Sequence, residues 1–364
     1  MKISIKGMGV LGGFGCGIGD LNQALTTGKS TPTPMVIKTT GGDIQVPAFL
    51  ANTNRLNSYV NKRELRRIDH YIRMALLGCF LALEDADMLH ANREKMGIII
   101  ATGYGSTCNT FDLQHSVITE AAPFCSPIQF SNSVHNAAAT YISILLKEMG
   151  PNLSVSHYDM SIVSAFLSAC QWLKEKRVDS VLIGSVDEYS KILGYFWHSL
   201  YNTGNGEADF TGQMNKEHAI IGEGANFFVL ANEHETASSY GYIEDVHMGD
   251  FRCKEIDLPE NDAFFLGADG YSGYDDQYAK HIPEKALVAS YSHLYGGLPV
   301  STGFDIAIAA LSNKSATLFK SGDIPLYHSG RWNVIRHKED LGSRRICCLK
   351  LGAGGSYGWV SLNH

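Results

Sequence analysis

No run of apolar residues in this chain reaches the roughly 20 needed to cross a bilayer. The opening residues Met1-Lys2-Ile3-Ser4-Ile5-Lys6-Gly7 enter an alternating strand pattern without the apolar core of a secretion signal. The expectation is a cytoplasmic chain with no membrane insertion. Positive charge is also scarce: 30 Lys and Arg stand against 37 Asp and Glu, a net charge of -7. That balance argues against nucleic-acid or anionic-membrane partners, which need Lys and Arg massed on one face. The eight cysteines (Cys16, Cys79, Cys108, Cys125, Cys170, Cys253, Cys347 and Cys348) contain no CxxC pair and no metal-ligand spacing. They read as reduced thiols, with Cys79 and Cys170 best placed to be small buried hydrophobes. No metal or other cofactor is expected, and no low-complexity tract or short repeat interrupts the chain.

What the sequence does contain is 364 residues with 45% apolar content, enough to bury a large core in one big or two fused domains. Short apolar runs alternate with helix-length segments from end to end, the pattern of an α/β protein with mainly parallel strands. Strands are predicted at Ile3–Val10, Gly97–Ala101, Leu153–Ser156, Ser180–Ile183, Asn226–Leu230, Gly241–Val246, Ala263–Leu266, Leu287–Ser290, Arg345–Leu349 and Gly358–Leu362. The clearest helices run Arg63 to Met88, Ser161 to Lys176 and Phe304 to Phe319, each with apolar residues at three- and four-residue spacing. The segment Gly103 to Asn136 reads as loop. A polar stretch, Ala231 to Tyr240, separates two βα-rich halves, placing the division at residues 1–236 and 237–364.

Six segments resemble the β-ketoacyl synthases, in chain order and over nearly the whole length. Arg66-Arg67-Ile68-Asp69, with the Ala- and Leu-rich helix to Asp85-Ala86-Asp87, is similar to the family's early helix, and Gly97 through Gly103 to the strand and glycine turn after it. Asn136-Ala137-Ala138-Ala139 and then Gly150 through Ser156 resemble the approach to the nucleophile. Asp179 through Gly184, Gly222-Glu223-Gly224-Ala225 and Leu351-Gly352-Ala353-Gly354-Gly355-Ser356 resemble the later landmarks, the last a glycine turn that closes the active site. The resemblance implies two similar halves in a thiolase-like five-layered αβαβα sandwich, dimeric across the strand before the nucleophile, with dimerisation loops in the first half.

Such condensing enzymes need a thiolate at a helix N-terminus to take the acyl chain, and two imidazoles to stabilise the enolate left by decarboxylation. Carried onto this sequence, the nucleophile position is Asp159, the first histidine position is Asp269 in the turn Ala268 to Gly273, and the second is Gly297. A carboxylate just before a helix suits an N-cap or first-turn role, and as a replacement nucleophile it would yield a labile anhydride. His281 and His293 lie within a few residues of the vacated slots, Cys108 sits in a glycine-rich loop, and His135 and His157 are near the pocket without occupying a matched slot.

Three replacements in three segments resemble the chain-length factor, the inactive partner of an active synthase in type II polyketide systems, and in style the aryl polyene members of that group. The resemblance implies a heteromer with an active β-ketoacyl synthase subunit, and an acyl carrier protein reached mainly through that partner. Phe130, Asn132, His135, Asn136, Tyr158, Asp159 and Met160, with Ala353, Gly354 and Gly355, are the expected tunnel and interface residues. Phe130 and Met160 could equally be core. The basic run Lys62 to Arg67 suits either an acidic carrier protein or a solvated helix face. Two other readings stay open: an active synthase or malonyl decarboxylase, and a homodimeric acyl-binding protein.

Overall fold

The computed structural model describes residues 2–91, 95–120, 126–201, 220–232, 240–259, 263–269, 275–322 and 330–364. The first run of elements is β1 (Ile3–Gly12), β2 (Gly15–Cys16), α1 (Ile18–Thr27), the hairpin β3 (Thr33–Thr39) and β4 (Gly42–Phe49), α2 (His70–Asp85), β5 (Met96–Ala101) and α3 (Thr107–Glu120). It continues with α4 (Pro127–Ser133), α5 (Ala137–Leu146), β6 (Asn152–Val155), α6 (Ser161–Lys174), β7 (Ser180–Asp187), α7 (Lys191–Tyr201), β8 (Ile221–Gly222) and β9 (Gly224–Asn232). The second run is β10 (Tyr242–Asp250), β11 (Ala263–Leu266), α8 (Asp275–His281), β12 (Leu287–Ala289), α9 (Ser292–Tyr295) and α10 (Thr302–Ser315). It ends with β13 (Thr317–Leu318), β14 (Asn333–Val334), β15 (Glu339–Asp340), β16 (Ile346–Leu351) and β17 (Ser356–Asn363). The expected division at residue 236 falls within 233–239, outside the described residues.

The main sheet runs β6-β5-β7-β9-β1 and then β10-β17-β16-β11-β12-β14. Counting the five principal strands of each run in chain order, both runs read third, second, fourth, fifth, first from the outer edge inward. The two meet at a seam where β1 pairs with β10. Pairing is mixed rather than mainly parallel: β5 is parallel to β6 and β7, and β11 to β12 and β16, while β7–β9, β9–β1, β16–β17 and β17–β10 are antiparallel. The apolar strand runs predicted from sequence could not separate these, because both kinds of strand are covered on both faces.

Period-two alternation assigns the layers. Ile98 and Ile100 face α2 and α5, whereas Ile99 and Ala101 face α6. In the second run Ile346 and Cys348 join the central core with α10, and Cys347 and Leu349 pack outward toward Tyr278 of α8. The result is helix, sheet, paired central helices α6 and α10, sheet, helix. Glycine lets α2 lie close on β1: a Cβ on Gly9 would stand 2.2 Å from the Gly78 carbonyl oxygen.

Three helix expectations need correction. The long early helix is broken: Glu64–Arg67 is a 3-10 turn, Ile68 is extended, and Asp69 caps α2 by accepting from the Ile72 N–H at 2.8 Å. The segment read as loop from Gly103 holds α3 and α4, with residues 121–125 outside the described set. The last long helix stops at Ser315 because Ala316 turns left-handed (φ 51°), and Thr317–Leu318 forms a short strand. The β3–β4 hairpin had no counterpart in the sequence reading.

Candidate functional site

The site forms where α6 begins and where β11, β16 and the loop before α10 end. Ahead of α6, the turn Tyr158–Met160 places Tyr158 at φ 49°, a left-handed backbone that a non-glycine residue adopts only under constraint. Ser161 supplies the constraint: its hydroxyl accepts from the His157 N–H (2.8 Å) and donates to the Thr102 carbonyl (2.9 Å). Met160 holds the N-cap position of α6, and Asp159 lies in the 3-10 turn that leads into it. Asp159 is buried and turns toward the second run. A Cβ on Gly352 would lie 3.0 Å from Asp159 Cβ and 3.1 Å from Oδ2.

The group that answers it is Lys350, next to the end of β16. Its ammonium donates to Asp269 Oδ2 at 2.7 Å and to the Gly267 carbonyl at 2.9 Å, with both side chains sealed from solvent. Burial opposes the lysine's charge, but Asp269 and then Asp159 outweigh it and hold the ammonium protonated above its ordinary range. Gly297 lies beside this pair. Its N–H donates to the Ile220 carbonyl (2.8 Å), its carbonyl accepts from Gly222 N–H (3.0 Å), and a Cβ on it would stand 3.5 Å from Asp269 Cβ and 2.6 Å from Trp197 Cη2. The three positions named from sequence therefore converge. What they surround is an ammonium and an indole. In the next layer Asp305, in the first turn of α10, accepts from the Tyr295 hydroxyl at 2.6 Å, and burial lifts its carboxyl to about 7.

The other expected residues divide by exposure. Phe130 is 63% exposed on α4, and His135, Asn136 and Tyr158 are also at the surface, Tyr158 edge-on to Tyr104 with centroids 5.6 Å apart. Asn132 points inward and donates to the Arg67 carbonyl (2.9 Å), tying α4 to the basic turn. Met160 is 1% exposed, and its sulfur lies 3.0 Å from where a Cβ on Gly358 would be. Ala353, Gly354 and Gly355 form a tight turn with φ of 81° and 92° at the two glycines. Residues 270–274 of the turn after Asp269, and Cys125, lie outside the described residues.

The other candidates sit elsewhere. His281 packs on Phe251, His293 lies against Gly322, and His157 Nδ1 bonds Ser164 Oγ at 3.1 Å. His135 lies against Gly105. The Cys108 sulfur lies 3.5 Å from the Tyr189 carbonyl, and burial with Glu188 and Asp112 pushes its thiol up to about 12, the reverse of an activated nucleophile.

A second polar cluster was not foreseen. Glu223, buried, accepts from the N–H groups of Ala51 and Tyr189 (both 2.9 Å) and stands 2.9 Å from His70 Nε2. Glu188 accepts from the Cys108 N–H at 2.8 Å, and burial lifts its carboxyl to about 8. Asp187 accepts from the Thr102 hydroxyl (2.7 Å) and the N–H groups of Gly103 (3.0 Å) and Tyr104 (2.8 Å). Among the described residues, no group of three or more His, Cys, Asp or Glu side chains is placed to hold a metal ion.

Solved structures share the fold over the whole chain. A β-ketoacyl synthase from Burkholderia phymatum STM815 superimposes with a TM-score of 0.82 at 14% identity, covering 100% of this chain and 99% of that one. A ketosynthase in complex with its chain length factor from Xenorhabdus doucetiae gives 0.77 at 15% identity, covering 100% and 98%. The ishigamide ketosynthase/chain length factor gives 0.79 at 12% identity, covering 100% and 98%. The fold is thus the thiolase-type α/β sandwich of the ketosynthases.

The family model for the Beta-ketoacyl synthase N-terminal domain matches residues 1–233, and the chain belongs to that family. Among curated relatives, 3-oxoacyl-[acyl-carrier-protein] synthase 2 of Vibrio cholerae serotype O1 is 24% identical over 260 residues, 68% of this chain and 62% of its own length. The same synthase of Vibrio harveyi is 23% identical over the same shares.

Proposed function

We propose that this chain is a non-condensing subunit, similar to a chain length factor, that pairs with an active β-ketoacyl synthase and shapes the acyl tunnel used in chain elongation. The observation that carries the reading is the Lys350–Asp269 pair beside Asp159 and Gly297. Condensation needs a thiolate and two imidazoles at those positions, and an ammonium clamped by carboxylates can neither form an acyl-enzyme nor donate to an enolate as an imidazole does.

The outer face supports the partner role. β6 ends the sheet with β5 as its one ladder partner among the described residues. The elements packed around it form a continuous series, α3 on α4, α4 on α5, and α5 and α6 on β6. That series exposes Ile118 (82%), Phe130 and Ile144 to solvent, and the connection between α5 and β6 exposes Met149 (93%). An open strand edge, with exposed apolar side chains on the elements that lead to it, suits a sheet-extending interface. On this reading Phe130, Tyr158, His135 and Asn136 reach the partner's tunnel, while Asn132 and Met160 hold the elements that present them. The carrier protein docks mainly on the partner. Among the described residues no helix is long and apolar enough to cross a membrane.

The test is to express the chain alone and with a candidate synthase, and to measure association and turnover of carrier-bound malonyl. A stable heteromer whose product length differs from that of the synthase alone supports the proposal. Decarboxylation or condensation by the isolated chain overturns it.

A further inference from the structure

Gly297 removes a side chain from the site, but the space is not left empty. Trp197 enters it from α7, a helix whose Ile192, Tyr195 and Phe196 are about half exposed, whereas Trp197 is 2% exposed. Its ring edge points at Gly297, with Cη2 and Cζ3 at 2.6 and 3.0 Å from the position of a Cβ there. Apolar side chains pack with it: Ala48, Tyr189 and Ile221, with Met35, Leu50 and Leu193.

Neither wall of this space has slack. The Gly297 backbone is held by hydrogen bonds to Ile220 and Gly222, and Gly222 is so close to the Tyr295 carbonyl that a Cβ would fall 1.9 Å from its oxygen. On the other side Asp269 is fixed by Lys350. A side chain restored at Gly297 would meet an indole that cannot be pushed into solvent, because close-packed interiors relax only partly.

We infer that Trp197 is the plug of this chain's own acyl chamber, and that Trp197 and Gly297 are a size-matched pair in which the small residue admits the large one. The inference rests on the non-condensing reading and adds a physical reason for it: the acyl group of a pantetheine thioester finds the chamber occupied. It also implies that restoring a thiol at Asp159 and imidazoles at Asp269 and Gly297 leaves the chamber closed while the indole remains.

Trp197→Ala in the full chain removes the plug and leaves an apolar cavity of the kind that takes up small aromatic molecules. Indole and S-octanoyl-pantetheine are the probes, with binding read by calorimetry and by the shift in unfolding temperature. The expected result is indole binding by the variant with recovery of part of its lost unfolding temperature. Octanoyl-pantetheine is expected to bind the variant at least tenfold more tightly than the unaltered chain.

Gly297→Ala supplies a second measurement that needs no probe. It is expected to lower the unfolding temperature of the unaltered chain, and to do so by less than half as much beside Trp197→Ala, or beside Trp197→Phe if the alanine variant does not fold. Equal losses in both backgrounds, or octanoyl-pantetheine binding to the unaltered chain as tight as to the variant, overturns the inference. Association with a synthase is measured separately. Its absence would sink the partner role and leave the indole result standing.

Discussion

Lys350 and Asp187 perform the same task in the two halves of the molecule with opposite charge. Each lies at the C-terminal end of the fourth strand of its run, and each grips the turn that follows the second strand. Asp187 accepts from the Thr102 hydroxyl and the Gly103 and Tyr104 N–H groups, while Lys350 donates to the Gly267 carbonyl and the Asp269 carboxylate. A repeated strand order has thus been fitted with an acidic clamp on one side and a basic clamp on the other. The basic clamp lies beside Asp159 and Gly297.

Removing the ammonium should be costly. Lys350→Met leaves the Asp269 carboxylate buried without its cation, and breaking one partner of a buried pair costs about 3–5 kcal/mol. Lys350→Met with Asp269→Leu removes both charges and is expected to recover most of that loss. Urea unfolding of the three proteins checks this. A single variant within about 1 kcal/mol of the unaltered chain would show that the pair is not structural.

The acidic side predicts a pH dependence. Burial raises the Glu188 carboxyl from its ordinary 4.5 to about 8, so the folded chain holds that proton more tightly than the unfolded one. Stability from this group is full below the unfolded pKa and is lost as pH rises through about 8. His70, raised through Glu223 although its burial opposes this, adds to the same downward slope. Glu188→Gln keeps an acceptor for the Cys108 N–H and should flatten the decline between pH 6 and 8.5, by on the order of 2 kcal/mol. Equal slopes in urea titrations at the two pH values would refute it.

Phe130 and Met160 should separate cleanly. Phe130→Ala changes a surface side chain and is expected to leave the isolated chain's stability within about 0.5 kcal/mol while shifting product length in the heteromer. Met160→Ala removes a core side chain and should cost about 2–5 kcal/mol in the isolated chain. Mass spectrometry of products and thermal unfolding read the two effects. Unchanged product length with Phe130→Ala removes it from the tunnel.

The exposed apolar side chains near the open end of the sheet give a further expectation. Ile118→Glu or Met149→Glu places a charge where desolvation would be required on association, and should weaken binding to the synthase at least tenfold with no loss of monomer stability. Sedimentation with the partner measures it, and undiminished binding by both variants would place the interface elsewhere.

Much of this was legible in the residues. Strand Ala263–Leu266 has the bounds expected of it, and Asp159, Asp269 and Gly297 do meet around one point. The helix from Arg63 was overextended because apolar spacing continues through Ile68, while the Asp69 cap that interrupts it is a local hydrogen bond that spacing does not reveal. Lys350 was missed although a signal existed: a lone cation in the apolar run Ile346-Cys347-Cys348-Leu349-Lys350-Leu351 demands a buried partner. Glu223 was visible as part of a glycine-rich landmark, but its ties to Ala51, His70 and Tyr189 span distant segments. Trp197 gave no signal of its own. Its role depends on a glycine 100 positions away along the chain.

The open edge of β6 has a consequence for choice of mate. Backbone N–H and C=O groups are the same in every polypeptide, so the ladder alone would accept a twin of this chain as readily as a different subunit. In the proposed pairing, discrimination between self and other falls to exposed side chains, and Ile118, Phe130, Ile144 and Met149 are apolar ones that could supply it. If the proposed heteromer forms through this edge, a handful of substitutions among those side chains would convert it into a uniform assembly without touching the interior.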